Sequence, residues 1–165
     1  MPDQLGPFAH LNDAGEVHMI DVSDKEITSR MATAEVEVVM SESLADRFFT
    51  GDLPKGDAAA VARVAGITAA KKTSELIPLC HPLPLSGVEV SLEQTGHGIR
   101  VLAKVRTDGR TGVEMEALTA ASIAALTIYD MVKGLEREVE ITNLRLLEKS
   151  GGRTGHWTRS EIVGD

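Results

Sequence analysis

An acid and a base, Asp130 and Lys133, stand three residues apart near the end of an apolar stretch. If the stretch is helical, the two side chains share one face, and the lysine lowers the pKa of the neighbouring carboxylate. Such a couple can donate and accept protons at a bound substrate. A solvated ion pair is the alternative interpretation, and the spacing alone does not choose between the two.

The only cysteine of the chain, Cys80, precedes His81 in a loop, LIPLCHPLPL, that contains three prolines. Proline fixes a backbone angle and removes a donor, so the loop is predicted to be stiff and to present backbone groups and one imidazole to a ligand. Neighbouring side chains point apart in an extended chain, which disfavours a Cys–His nucleophilic pair. Because no second Cys/His pair has zinc spacing, we predict no metal site, and a buried structural cysteine is the alternative for Cys80.

Two carboxylates, Glu114 and Glu116, open the predicted helix that ends at Lys133. The spacing from Thr111 to Glu114 is that of a capping box, and acidic residues in a first turn suit the helix dipole. A structural role is therefore as well supported as a functional one. Glu116 and Asp130 are separated along this helix by about 21 Å. One small substrate contacts both ends only if they come from different subunits.

Four lysines lie at predicted element ends or on a helix flank: Lys55, Lys71, Lys72 and Lys149. Two of them stand close to glycine, in PKGD and EKSGG, where a ligand can approach the backbone, and lysine is a usual partner of phosphate oxygens. A solvated charge is the alternative for each. Taken together, these residues predict an oligomeric enzyme that handles a small phosphorylated anion by lysine and carboxylate acid/base chemistry.

Hydrophobic periodicity predicts the element order strand, helix, strand, strand, helix, strand. We expect an α+β fold, a ferredoxin-like sandwich in which helices pack on one face of an antiparallel four-stranded sheet. The second long helix is nonpolar nearly all round between Ala117 and Met131, so we also expect subunit contacts along it. The predicted segments are a strand over 33–40, a short helix over 41–49, a helix after Asp57 through 76, a hairpin over 87–107 with its turn at 96–98, a helix over 111–133 and a strand over 138–150 with a bulge near Asn143.

The composition restricts the class of protein. A chain of 165 residues with 42% hydrophobic and 25% charged residues is predicted to form one domain, 1–165, with about 15 N-terminal and about 12 C-terminal residues flexible. A net charge of -8 argues against binding to nucleic acid or to a membrane surface. The N-terminus lacks the charged-then-apolar order of a secretory signal, and the most apolar stretch is too short for a bilayer. We therefore expect a cytoplasmic protein.

Four strings, KGD, AGITAAKKTSELIPLCHPLPLS, TGVEMEALTAASIAALTIYDMVK and LLEKSGGRTG, closely resemble the molybdenum cofactor biosynthesis protein C family, the cyclic pyranopterin monophosphate synthases. The resemblance covers nearly the whole chain. It implies a ferredoxin-like fold, a homohexamer built as a trimer of dimers, and an active site at a subunit interface. The implied reaction is the lyase conversion of 3′,8-cyclo-7,8-dihydroguanosine 5′-triphosphate, made by a radical partner enzyme, into cyclic pyranopterin monophosphate and diphosphate in molybdenum cofactor biosynthesis.

The resemblance also implies residue roles. The catalytic lysines of the family fall on Lys55 and Lys133, and its catalytic aspartate falls on Asp130. No cofactor is expected, and nothing in the sequence indicates Mg²⁺. The implied substrate-binding residues are Leu79, Cys80, His81, Glu114, Met115 and Glu116, with further contacts from Arg30, Lys71 and Lys149.

Two alternatives stay open at this point. A noncatalytic nucleotide-binding oligomer would have the same fold and assembly but would not turn over a substrate. The presence of the family's catalytic residues counts against it. A metal hydrolase that uses His81 with Glu114 or Glu116 would lose its activity to a chelator. The chain departs from the family at Arg110 and Arg153, where lysine is equally expected, so the charge is kept while the hydrogen-bond geometry differs.

Overall fold

The computed structural model describes residues 11, 14–153 and 155–160, which form an α+β fold. The elements follow the predicted order with two differences: the helix predicted through residue 76 is divided in two at residue 72, and a short fifth strand is added. In chain order the elements are β1 (Thr28–Val39), α1 (Glu42–Thr50), α2 (Ala58–Lys71), α3 (Thr73–Leu76), β2 (Leu85–Thr95), β3 (Gly98–Gly109), α4 (Glu114–Val132), β4 (Glu140–Ser150) and β5 (Trp157–Thr158).

The strands form one antiparallel sheet in the order β2-β3-β1-β4-β5. The four long strands have the spatial order of a ferredoxin-like sandwich, which confirms the predicted fold class. The fifth strand is an addition to the predicted four. A strand of two residues is too short to show an alternating pattern, so the sequence did not predict β5. Tertiary contacts hold it: β5 pairs with Glu148 and Lys149, and the side chain of Arg159 donates to the carbonyl of Leu146 at 2.7 Å.

The hairpin of β2 and β3, at one edge of the sheet, has the register that the alternation predicts. A turn at residues 96 and 97 joins β2 to β3. Residues of one face lie opposite one another and point towards the helices, because side chains alternate along a strand. The paired residues are Val88 with Val105, Val90 with Ala103 and Leu92 with Val101.

Helix α4 is the centre of the core, since it contacts β1, β3, β4 and α2. By length and composition it could cross a membrane, but in the fold it is the helix that covers the sheet. Gly66 lets α2 approach closely, because a Cβ there would lie 2.9 Å from the carbonyl oxygen of Ala120. Together α2 and the sheet cover most of α4 and leave Leu126 as its most exposed apolar residue. One chain thus covers more of α4 than the sequence suggested, and oligomerisation stays a prediction.

A buried carboxylate lies on the helix-free face of the sheet. Glu35 is 2% exposed and accepts hydrogen bonds from Arg100 and Arg145, each at 2.6 Å. Burial pushes the pKa of Glu35 upwards, but the bonds from Arg145 and Arg100 outweigh it, so the pKa lies below its ordinary value. The three side chains tie β1 to both of its neighbours.

The predicted bulge is confirmed in β4. Asn143 has a φ of 55°, and the pairing of β1 with β4 shifts register between Glu35 and Glu37. The chain ends were predicted to be flexible. Most of the residues concerned, 1–10, 12, 13, 154 and 161–165, lie outside the described residues, so this stays a prediction.

Candidate active site

The first group of site residues, the helix-end cluster, consists of Lys55, Asp130 and Lys133. The Lys133 Nζ lies 2.7 Å from one carboxylate oxygen of Asp130, and the Lys55 Nζ lies 3.2 Å from the other. Lys55 also donates to the main-chain carbonyl of Asp130 at 2.6 Å. That carbonyl belongs to the last turn of α4, where carbonyls lack helical partners, so Lys55 caps the helix as well as pairing with the acid.

The cluster is about half exposed, with side-chain exposures of 47% to 57%. The hydrogen bond from Lys133, and next that from Lys55, holds the pKa of Asp130 below its ordinary value. The same contact raises the pKa of Lys133. The acid is therefore ionised and Lys133 is an ammonium group in the neutral range, as expected for an opposite-charge pair.

The second group lines a cavity of about 350 Å³, the histidine cavity. The proline loop meets the first turn of α4 there. The structure thereby brings together six of the sequence-predicted residues: Leu79, Cys80, His81, Glu114, Met115 and Glu116. A segment that the sequence did not single out, around Ile20 and Val22, forms another wall of this cavity.

Two groups in the histidine cavity have raised pKa values. Glu116 is 4% exposed, and burial raises the pKa of its carboxyl, with a smaller contribution from the charge of Glu114. Burial also raises the pKa of the Cys80 thiol, and the charge of Glu116 adds to it. Since a thiol with a raised pKa is a poor nucleophile, the geometry favours a lining role for Cys80.

The third group lines a larger cavity of about 640 Å³, the arginine cavity. It holds five cationic side chains against three carboxylates, which suits a polyanion. The cations are Lys25, Arg30, Arg110, Lys149 and Arg153, and the carboxylates are those of Asp24, Glu26 and Glu114. Both cavities share Lys25, Thr111, Gly112 and Glu114 in their linings, so they adjoin.

The predicted capping box is wrong. The helix N-cap is Val113, without a side-chain hydrogen bond, and the carboxylate of Glu114 instead pairs with Lys149 at 2.9 Å. A Cβ on Gly112 would collide with the Glu114 carboxylate, so the glycine leaves room for this arrangement. Glu114 is thus turned towards β4 and the arginine cavity.

Arg30 is fixed on the wall of the arginine cavity by two main-chain carbonyls. Its Nε donates to Gly109 at 2.9 Å and its Nη2 to Arg110 at 3.1 Å. The loop after β4 lies against the guanidinium, and a Cβ on Gly152 would collide with it. Gly152 also has a φ of 71°, which glycine tolerates best.

Not every predicted residue lies in these groups. Lys71 lines a third cavity of about 370 Å³, which shares only Leu83 with the histidine cavity. The helix-end cluster and the two adjoining cavities stand at opposite ends of α4. Along the helix axis, Glu116 and Asp130 are about 21 Å apart. Among the described residues, no three His, Cys, Asp or Glu side chains come together as a metal site would require.

Sequence reasoning missed Lys25, which lines both cavities from a segment without periodicity. Arg110 and Arg153 were noticed only as departures from a family pattern, yet both line the arginine cavity. Arg153 could have been found as a site residue, because it follows Lys149 and two glycines in the sequence.

Comparisons with known proteins agree on one family. A model described as the MoaC family matches residues 19–152, a range that contains every predicted site residue. A curated relative, the cyclic pyranopterin monophosphate synthase of Corynebacterium efficiens, is 51% identical over 154 residues. The match covers 93% of this chain and 99% of that protein.

We expect Gly152→Ala to weaken the binding of inorganic diphosphate roughly tenfold or more, because displacing Arg30 removes a charged hydrogen-bond donor from the arginine cavity. Isothermal titration measures this. Gly155→Ala is the matched control, since Gly155 has a similar φ of 64° but no atom within 4 Å of an added Cβ. Equal affinities of the two variants would contradict the assignment of Arg30 to anion binding.

We expect Glu116→Gln to raise the melting temperature at pH 8, on the order of 2 °C. Because the pKa of Glu116 is raised in the folded chain, wild type loses stability as the pH rises above the ordinary value of 4.5. The amide does not share this loss, so the gain should vanish towards acid pH. Glu75→Gln, at an exposed residue, is the control. A gain that grows on acidification would show that the sign is wrong.

Proposed function

The chain belongs to the MoaC family, and on that premise we propose that it is a lyase, a cyclic pyranopterin monophosphate synthase of molybdenum cofactor biosynthesis. It converts 3′,8-cyclo-7,8-dihydroguanosine 5′-triphosphate into cyclic pyranopterin monophosphate and diphosphate. The observation that carries the proposal is the pair of ammonium groups, Lys55 and Lys133, held on the single carboxylate of Asp130.

Proton transfer is the task of the helix-end cluster. Lys133 enters the reaction in its protonated form, because the hydrogen bond with Asp130 raises its pKa. Asp130 stays ionised and orients both lysines through its two oxygens. After one lysine has given its proton to the opening ring system, it is a neutral amine that can take a proton back when the ring closes again.

Phosphate chemistry is the task of the arginine cavity. The cyclic monophosphate forms when a substrate hydroxyl attacks the α-phosphorus and gives its proton to solvent, while the bond from the α-phosphorus to the oxygen that bridges to the β-phosphate breaks. Diphosphate leaves with growing negative charge, which nearby fixed cations stabilise, each by a few kcal/mol in a water-poor site. Arg30 is fixed by two carbonyls and Lys149 by Glu114, so these cations are already in place.

Ring binding is the task of the histidine cavity, which adjoins the arginine cavity. Its lining combines apolar residues, among them Leu79 and Met115, with hydrogen-bonding groups that include His81 and Glu116. Such a combination suits a flat polar heterocycle with a phosphate chain that leads into the next cavity. Lys71 lies in neither cavity, so we place it outside the direct contacts unless a neighbouring subunit brings it closer.

Two subunits must contribute to each site, because the helix-end cluster and the cavities of one chain stand at opposite ends of α4. We propose a homohexamer, built as a trimer of dimers, in which the cluster of one chain meets the cavities of another. The enzyme works in the cytoplasm, receives its substrate from a radical enzyme and needs no resident cofactor.

Turnover of the cyclised nucleotide, measured as the release of diphosphate, tests the function. Lys133→Ala should lower kcat by about 10²–10⁴-fold, because an acid/base group is lost. Lys72→Ala is the control, since Lys72 lies in none of the three groups. Binding without turnover by wild type would instead favour a noncatalytic nucleotide-binding protein. Loss of turnover with a chelator would favour a metal hydrolase.

Mixing two inactive variants tests the shared site. Lys133→Ala and His81→Ala lack groups at opposite ends of α4, so in a mixed assembly some sites receive both native groups from different chains. After dissociation and reassembly of equal amounts, about one quarter of the sites should be native. The double variant, reassembled with an inactive single variant, is the control. No recovery in the mixture would exclude a site between subunits.

A further inference from the structure

Residues 20–25, the strap, cross the histidine cavity and come just before β1. Ile20, Val22 and Lys25 line the cavity, whereas Asp21 and Ser23 are exposed and line neither cavity. The strap is therefore a wall of the site whose inner and outer residues can be changed separately.

Two hydrogen bonds between distant residues tie the strap to the site. The Nε2 of His81 lies 2.8 Å from the carbonyl oxygen of Ile20. At the other end, the Nε of Arg110 donates to the carbonyl of Lys25 at 3.0 Å. One partner belongs to each adjoining cavity, so the strap spans both.

The strap also has hydrogen bonds of its own. The main-chain N–H and the hydroxyl of Ser23 donate to the Oδ1 of Asp21, at 2.8 and 2.5 Å. The N–H of Lys25 donates to the carbonyl of Val22 at 3.0 Å. These bonds form a compact turn that fixes where the carbonyl of Ile20 points.

The contact with Ile20 determines the state of His81. A carbonyl oxygen can only accept, so the Nε2 must carry the hydrogen, and in the neutral ring the Nδ1 is then an acceptor. Within the described part of the chain, this is the one hydrogen bond of the ring. The Nδ1 therefore remains available to a ligand.

We propose that the strap is a positioning device for His81: the carbonyl of Ile20 holds the neutral imidazole as its Nε2–H tautomer and directs the Nδ1 to accept a hydrogen bond from a ring N–H of the substrate. The proposal rests on the proposed function for the identity of that ring, because guanine-derived heterocycles carry N–H donors on their edges. Arg110 is a second positioning residue, which holds the far end of the strap.

The turn variants test the proposal without touching either cavity. Asp21→Ala removes the acceptor of the turn, so kcat/KM for the cyclised nucleotide should fall about tenfold, as is usual when an orienting partner is lost. Asp21→Asn keeps an Oδ1 acceptor and should restore most of it. Gln94→Ala, which breaks a surface hydrogen bond of 2.6 Å to Asp46, is the control and should behave as wild type.

Nitrogen NMR of histidine-labelled protein, recorded where the rings are neutral, measures the tautomer directly, with His81 assigned by its loss in His81→Gln. We expect the Nε2–H form in wild type and in Asp21→Asn, and a mixture in Asp21→Ala. An Nδ1–H form in wild type overturns the proposal, as does an unchanged kcat/KM in Asp21→Ala. An equal loss in Asp21→Asn also overturns it, because charge and not the turn would then matter.

This design separates two failures. If wild type releases no diphosphate from the cyclised nucleotide, the proposed function fails. The tautomer measurement needs no turnover, so it decides the role of the Ile20 carbonyl in either case.

Discussion

The length and continuity of α4 constrain the rest of this protein. The helix runs without interruption from Glu114 to Val132, with acidic residues at its start and Asp130 in its last turn. Close contact with α2 and three strands fixes it as a rigid body. Chemistry that needs both ends cannot be completed by bending the helix, and for this reason we propose a site shared between two copies of the chain.

Electrostatic pairing is the second theme of the site. Several of its charged side chains are held by partners: Asp130 binds two lysines, Glu114 binds Lys149, and Arg30 donates to main-chain carbonyls. Pairing keeps long side chains in one geometry before a ligand arrives, which reduces the entropy lost on binding. It also means that a polyanion must compete with carboxylates for the cations, and this competition favours ligands of high charge.

The fold was largely predictable, because periodicity is a local property: the alternation of β2 and β3 correctly predicted their pairing, and the apolar run of α4 predicted a core helix. The Asp130–Lys133 pair was also predictable, since the two residues are three apart on one helix, whereas Lys55 was assigned to the same site only by the family resemblance. The N-terminus of α4 was not, because Glu114 finds its partner in β4. The strap was missed for the same reason: its ties join Ile20 to His81 and Lys25 to Arg110, and no local pattern reports a contact between residues so far apart.

The short β5 leaves most of one sheet border without a strand beside it. In the described chain, β5 pairs only with Glu148 and Lys149, and Arg159 binds the carbonyls of Leu146 and Leu147, so the residues of β4 before Leu146 have no strand beside them. An open border of this kind can recruit a like chain into an aggregate. The bulge at Asn143 interrupts the regular ladder of this strand. The bulge that shifts the register of β4 therefore also makes this border a poor template for pairing with a strand of another chain.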